Sequence, residues 1–321
     1  MDDTGMPPLG IRLLHALGKE RDWSAMTAEE LVVHREAENR KRASRLARVV
    51  TGFPDRGATI RWQEVVLPDR VVRVRVHRRT TGHGGLPLVL HVHGGGFVGT
   101  AAQSDWVNSH LAARLPAVVV SVEHRLLDPT TPLAAAVDDG WDVLRHVVEH
   151  AADWGVDPAR TAVFGESNGG VIAALLAIRA KESGAPLRAQ VLVNPVLDLT
   201  ATAFDHPSMV EHAHSPTLNA AQMRLYLRLA VPPESDPRAV SPLLADDLGG
   251  LAPALVVVPT LDPVADHGRR YVDRLRESGT PVRLTEHVGA PHAFLSTPGL
   301  VRHAKAARAE IAGFLRDHLT A

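Results

Sequence analysis

The run Val163-Phe164-Gly165-Glu166-Ser167-Asn168-Gly169-Gly170 sits where one sequence pattern gives way to another. Residues 161–164 form a short apolar run of β-formers, and residues 171–179 are apolar and rich in helix formers. Gly165-x-Ser167-x-Gly169 therefore falls between a strand and a helix. A serine on so sharp a turn has its hydroxyl pushed out above the sheet, and glycines two residues to either side give the backbone room to turn. The helix that follows aims its free N–H groups and the positive end of its dipole at the serine, where an oxyanion could form. Taken alone, the same letters also describe an ordinary Gly-rich turn, so the rest of the chain has to decide.

Around this turn, strands and helices alternate. Residues 60–67 and 71–76 alternate apolar and polar and are joined by Pro68-Asp69-Arg70, which predicts an antiparallel hairpin. Arg73 and Arg75 share a face with His77 and are expected to be solvated. Beyond a Gly-rich connector at 82–85, strands are expected over 88–93, 117–122, 161–164, 189–194, 254–259 and 282–286. Helices are expected near 104–115, 134–150, 169–182, 264–277 and 301–318. That alternation implies a mostly parallel sheet covered on both faces. Residues 1 to about 50 have helical periodicity instead, with Leu9, Leu13, Leu14 and Leu17 on one face. Thr27-Ala28-Glu29-Glu30 forms a capping box that opens a second helix over 28–50, dense in Arg and Glu, whose outer face reads as solvated. Between 199 and 247 the alternation lapses into Pro-rich turns around one helix, 220–229. The expected layout is an N-terminal helical cap segment at 1–55, a core at 56–198 and 248–321, and an inserted helical cap segment at 199–247.

The 321 residues suit one large α/β domain, which would bury about 75% of the surface its unfolded chain exposes. Thirty-five basic and thirty-six acidic residues leave a formal charge of −1, so charge gives no reason to expect a nucleic-acid or acidic-membrane partner. With no cysteine, disulfides, thiolate metal sites and a cysteine nucleophile are all excluded. No run of about 18 apolar residues occurs, and Met1-Asp2-Asp3 is not the start of an export signal. A cytoplasmic protein without stable membrane association is expected.

A serine needs a base to take its proton and a carboxylate to orient that base. The strand ending at Pro259 runs into Thr260-Leu261-Asp262-Pro263, which places Asp262 just beyond the strand's carboxyl end, with Pro263 suited to open a helix. The next strand leads to Gly289-Ala290-Pro291-His292, which places His292 on a loop before the last helix. Ser167, Asp262, His292 is the chain order of α/β-hydrolases. His93-Gly94-Gly95-Gly96-Phe97 follows a strand, and its glycines let backbone N–H groups come close to a developing alkoxide.

Taken together, these segments resemble the hormone-sensitive-lipase family of α/β-hydrolase esterases. The likeness runs from about residue 58 to the end and also includes Asn194-Pro195-Val196-Leu197-Asp198-Leu199, Asp262-Pro263-Val264-Ala265-Asp266 and Pro291-His292-Ala293-Phe294. It implies an α/β-hydrolase fold with a helical cap. Ser167 would be the nucleophile, His292 the base and Asp262 its orienter, with the N–H groups of Gly95, Gly96 and Asn168 around the oxyanion. His93, Gly94, Phe97 and Glu166 would line the substrate pocket. The expected activity is carboxylic-ester hydrolysis through an acyl-enzyme, on short or medium acyl or specialised-metabolite esters, with no metal or organic cofactor and with a homodimer as the candidate assembly. Two alternatives share the fold: a transacylase or lyase of specialised metabolism, and a catalytically silent small-molecule receptor, which typically lacks a triad member that this chain retains. Three departures from the family pattern bear on substrate rather than on reaction type. They are Glu166-Ser167-Asn168 in place of Asp-Ser-Ala, Ala293 in place of glycine, and His124-Arg125-Leu126-Leu127-Asp128-Pro129 in place of Tyr-Arg-Leu-Ala-Pro-Glu.

Other polar residues read more plainly. Asp266, one helical turn past Asp262, suits support of a helix N-terminus, and Asp198 is a weaker rival for the orienting role. His206, His212 and His214 lack the carboxylate spacing of a zinc helix and are expected on the surface or in the cap. His91 is expected to pack, His93 to brace its loop, and His287 comes too early to be the base. The Asn168 carboxamide is expected near the acyl group, where it would favour short or polar chains.

Overall fold

The computed structural model describes residues 6–16, 21–80 and 84–320. Leu17, Gly82 and the Met1-Asp2-Asp3 start lie outside the described residues. Eight strands form one sheet: β1 (Ala58–Val66), β2 (Val71–Arg79), β3 (Leu86–Val92), β4 (Val118–Val122), β5 (Val156–Glu166), β6 (Ala189–Val193), β7 (Ala254–Leu261) and β8 (Val282–Pro291). Their order across the sheet is β1-β2-β4-β3-β5-β6-β7-β8. The β1–β2 and β2–β4 pairs are antiparallel and the others parallel, which gives the mostly parallel sheet of an α/β-hydrolase fold.

The helices, in order, are α1 (Leu9–Ala16), α2 (Ala28–Ala43), α3 (Arg48–Thr51), α4 (Asp105–Arg114), α5 (Leu133–Glu149), α6 (Asn168–Ser183), α7 (Pro207–Glu211), α8 (Ala220–Ala230), α9 (Ala265–Glu277) and α10 (His303–Leu319). Because side chains alternate along a strand, Leu88, Leu90, Val92, Val163 and Val256 pack under α5, α6 and α9. Val89, Phe164, Val191, Leu255 and Val257 pack under α4 and α10. Burying each such side chain is worth about 1.5–3 kcal/mol, so central strands that are apolar on both faces hold the sheet between two helical layers.

Three local readings change. The expected helix over 28–50 is two helices, because the chain turns extended at Ser44 (ψ 150°) before α3. The break lets the Val50 carbonyl accept the Gly299 N–H at 3.0 Å. On α1 it is Ile11 that is buried, whereas Leu9, Leu13 and Leu14 are exposed, because the helix touches the core through the opposite face. Of Arg73, Arg75 and His77 on β2, only Arg73 is solvated. Asp105 at the start of α4 reaches over the strand and takes Arg75 Nε at 2.6 Å and His77 Nε2 at 3.0 Å, which leaves His77 fully buried.

Candidate active site

Ser167 joins β5 to α6 with φ 56° and ψ −117°, a region that a residue with a Cβ rarely adopts. Backbone bonds hold it there. Its N–H donates to Val193 O at 2.9 Å, and its carbonyl accepts the N–H groups of Gly170 and Val171 at 2.9 and 3.2 Å. The flanking glycines are steric necessities: a Cβ on Gly165 would lie 1.9 Å from Gly169 O, and one on Gly169 would lie 2.1 Å from Val92 O.

The carboxyl ends of β3, β5, β7 and β8 meet at one edge of the sheet and bring together residues far apart in sequence. Ser167 Oγ lies 2.7 Å from His292 Nε2. His292 Nδ1 lies 2.8 Å from Asp262 Oδ2. Asp262 is fully buried, and its other oxygen accepts the Val264 N–H at 2.9 Å. A carboxylate on Nδ1 keeps the proton there, so Nε2 faces the serine with its lone pair free to accept. Asp266 does not compete. It accepts from Ser208 N and pairs with Arg269, each at 2.9 Å, and so ties α9 to α7. Asp198 binds Thr200, Thr202 and His206.

Gly94, Gly95 and Gly96 follow β3 and pass close to Ser167: a Cβ on Gly94 would sit 3.5 Å from its Cβ. Among the described residues, no group accepts from the N–H of Gly95, Gly96 or Asn168. Three donors beside the serine without internal partners are what a developing oxyanion requires.

A cavity of about 640 Å³ opens above Ser167, lined by Gly94, Gly95, Gly96, Phe97, Glu166, Asn168 and His292. Its roof comes from both expected cap segments, through Arg42 of α2 and Met223 and Tyr226 of α8. His93 is a correction to the expected lining. Its ring is fully buried, stacked on His124 with centroids 4.2 Å apart, and Nδ1 donates to the Gly94 carbonyl at 2.9 Å. Burial, reinforced by the His124 imidazole, holds its pKa well below the usual histidine value.

Glu166 lines the cavity as a buried carboxyl that accepts the Ser296 hydroxyl. Burial raises its pKa, although Ser296, His292 and Arg42 pull the other way. The Asn168 carboxamide turns toward the cap, where its Oδ1 accepts the Tyr226 hydroxyl at 2.7 Å. His206 lies in the 199–247 segment, buried and packed edge-on against His267. Among the described residues, no group of three or more His, Asp or Glu is arranged to hold a metal. His287 pairs with Glu310 at 3.4 Å, outside the site.

Sequence reasoning missed Tyr226, Ser296 and Arg42. Arg42 had a readable signal, because it falls on the same face of α2 as Leu31 and Arg35, the face that packs inward.

A family model described as alpha/beta hydrolase fold matches residues 89–296. Esterase LipI of Mycobacterium tuberculosis is 35% identical over 221 residues, which are 67% of this chain and 68% of that protein. Carboxylesterase NlhH of the same organism is 34% identical over 253 residues, 71% of this chain and 78% of its own. The solved structure of the ester-hydrolase EH1AB1 from the metagenome of Lake Arreo, complexed with a derivative of bipyridine phosphonate, superposes with a TM-score of 0.87 at 29% identity. It covers 98% of this chain and 100% of its own. With the serine elbow, its histidine and carboxylate partners and the sheet order all in agreement, this chain is a serine carboxylic-ester hydrolase and belongs to the hormone-sensitive-lipase-like family of α/β-hydrolase fold carboxylesterases.

Proposed function

We propose that ester hydrolysis runs through Ser167, His292 and Asp262 on small-molecule esters of short or medium acyl chain. The observation that carries this is the continuous pair of contacts from Ser167 Oγ to His292 Nε2 (2.7 Å) and from His292 Nδ1 to Asp262 (2.8 Å). His292 Nε2 takes the hydroxyl proton as Oγ attacks the ester carbonyl, and Asp262 stabilises the resulting imidazolium. The carbonyl electron pair moves onto oxygen, facing the N–H groups of Gly95, Gly96 and Asn168. Collapse of this intermediate breaks the ester C–O bond. The alcohol leaves with the proton from His292, and the acyl group stays on Ser167. Water then gives its proton to His292 and attacks the acyl-enzyme, which releases the acid and restores the serine.

Residues 1–55 and 199–247 act as a cap over the core formed by 56–198 and 248–321. The lining of the cavity by α2 and α8 supports this division. No described helix is long and apolar enough to cross a membrane. The cysteine-free sequence fits a reducing compartment, and we place the enzyme in the cytoplasm. Among the described residues β8 pairs on one side only, which offers a second copy an edge and supports a homodimer.

The test is hydrolysis of p-nitrophenyl esters from acetate to decanoate, alongside fluorophosphonate labelling of wild type and Ser167→Ala. Labelling and release of free acid should both vanish in the variant, and short to medium chains should be preferred. Labelling that survived would place the nucleophile elsewhere.

A further inference from the structure

Helix α2 is charged along its length, yet one of its faces is aimed at the backbone of the loop that carries Gly95 and Gly96. Arg35, Asn39 and Arg42 recur at i, i+4 and i+7 and so share that face. Arg35 Nε donates to the Phe97 carbonyl at 3.0 Å, and its Nη2 donates to the Leu127 carbonyl at 2.5 Å. Leu127 N–H in turn holds the Gly96 carbonyl at 2.8 Å. Asn39 Oδ1 accepts the Gly99 N–H at 2.9 Å. Arg42 Nη1 donates to Gln103 Oε1 at 2.7 Å, and Gln103 Nε2 donates to the Gly94 carbonyl at 3.0 Å.

The last relay bears most directly on the chemistry. A guanidinium can only donate, so Arg42 forces the Gln103 oxygen toward itself and the amide NH₂ toward Gly94. In a trans peptide the N–H points opposite to the C=O of the same unit, and no peptide bond among the described residues is cis. Fixing the Gly94 carbonyl therefore fixes the direction of the Gly95 N–H.

We infer that Arg42 acting through Gln103, together with Arg35 and Asn39, makes the N-terminal helix α2 a positioning element for the oxyanion donors as well as part of the cavity wall. This rests on the reading of Gly95 and Gly96 as those donors. A donor set that is preorganised lowers the barrier without changing ground-state affinity. Loosening it should therefore lower kcat and leave KM nearly unchanged, whatever the substrate.

The experiment compares Arg42→Met, Gln103→Leu, Asn39→Leu and Asn39→Asp with Arg40→Met, a control on the exposed face of the same helix. Each is assayed with p-nitrophenyl acetate and hexanoate and with a trifluoromethyl ketone that binds as a tetrahedral adduct. Complete loss of a donor costs about 10²- to 10³-fold. Arg42→Met and Gln103→Leu should lower kcat by roughly 10- to 100-fold, equally for both esters, with KM within about twofold and the ketone weakened by the same factor as kcat/KM. Asn39→Asp keeps its acceptor and should recover most of the activity lost in Asn39→Leu. Arg40→Met should match wild type. A KM effect confined to one ester would make Arg42 a substrate contact and overturn the inference, as would an unchanged kcat. Should Arg42→Met fail to fold, the Asn39→Leu and Asn39→Asp pair decides the matter, and equal activity in those two overturns it. Fluorophosphonate labelling that survived in Ser167→Ala would instead sink the underlying site assignment, so the two failures are separable.

Discussion

The Tyr226 hydroxyl of α8 donates to Asn168 Oδ1, 2.7 Å away, in a buried contact that joins α8 to the residue following Ser167. Burial raises the tyrosine pKa, which keeps the hydroxyl protonated as a donor. The Asn168 oxygen that the sequence places near the acyl group is therefore occupied by protein, and its Nδ2 has no partner among the described residues.

Tyr226→Phe leaves the Asn168 oxygen buried without a donor and should cost about 1–3 kcal/mol of stability. Combining it with Asn168→Ala should recover part of that loss. A urea-denaturation double-mutant cycle measures the coupling, expected at about 0.5–3 kcal/mol. Additive effects would mean the hydrogen bond contributes nothing.

Asp262→Asn should lower kcat by about 10³- to 10⁴-fold, because an amide cannot keep the His292 proton on Nδ1 or stabilise the imidazolium. Asp266→Asn should lower it by less than about tenfold and act mainly through the tie between α7 and α9. Steady-state kinetics on one ester separate them, and equal losses would show that the wrong carboxylate was chosen.

Ala293 has φ 57° and ψ 25°, the left-handed region. Holding an L-residue there costs about 1–2 kcal/mol, and glycine's greater unfolded-state freedom offsets about 0.4–1 kcal/mol of the gain from relieving it. Ala293→Gly should therefore raise stability by roughly 0.5–1 kcal/mol, with His292 still in place. A lower Tm than wild type would show that the alanine methyl makes a contact worth more than the strain.

Glu166 is pushed above its ordinary value of 4.5, mainly by burial. The folded state thus binds this proton more tightly than the unfolded chain. The associated stability is full below pH 4.5 and is lost as pH rises through the raised native value. Glu166→Gln keeps an acceptor for Ser296 and cannot ionise. Its stability relative to wild type should climb across that window and then level off. Urea midpoints taken at intervals of pH test this, and a difference that stays constant with pH would refute it.

That Ser167, Asp262 and His292 would meet could be read because backbone geometry restricts which residues can stand there. Gly165 and Gly169 are the only residue type that avoids overlap with carbonyls, and Asp262 and His292 each follow a strand whose pattern is unmistakable. The polar bracing was hidden for the opposite reason. Arg35 and Asn39 bond to backbone groups and Arg42 to the Gln103 side chain, all contributed by distant chain; the helical period puts them on the inward face but does not name those partners. The same blindness made Arg75 and His77 look solvated, since nothing near them in sequence announces Asp105. Leu9, Leu13 and Leu14 share an apolar face that stays exposed, since such a face is buried only where another element covers it.

Ser167 and His292 are 125 residues apart, and the cavity above them takes side chains from α2, near one end of the described chain, and from the loop after β8, near the other. During synthesis α2 and Ser167 emerge well before His292. A chain that has not yet reached His292 therefore carries a serine with no base to activate it. Hydrolytic activity consequently reports a chain in which residues distant in sequence have been brought together.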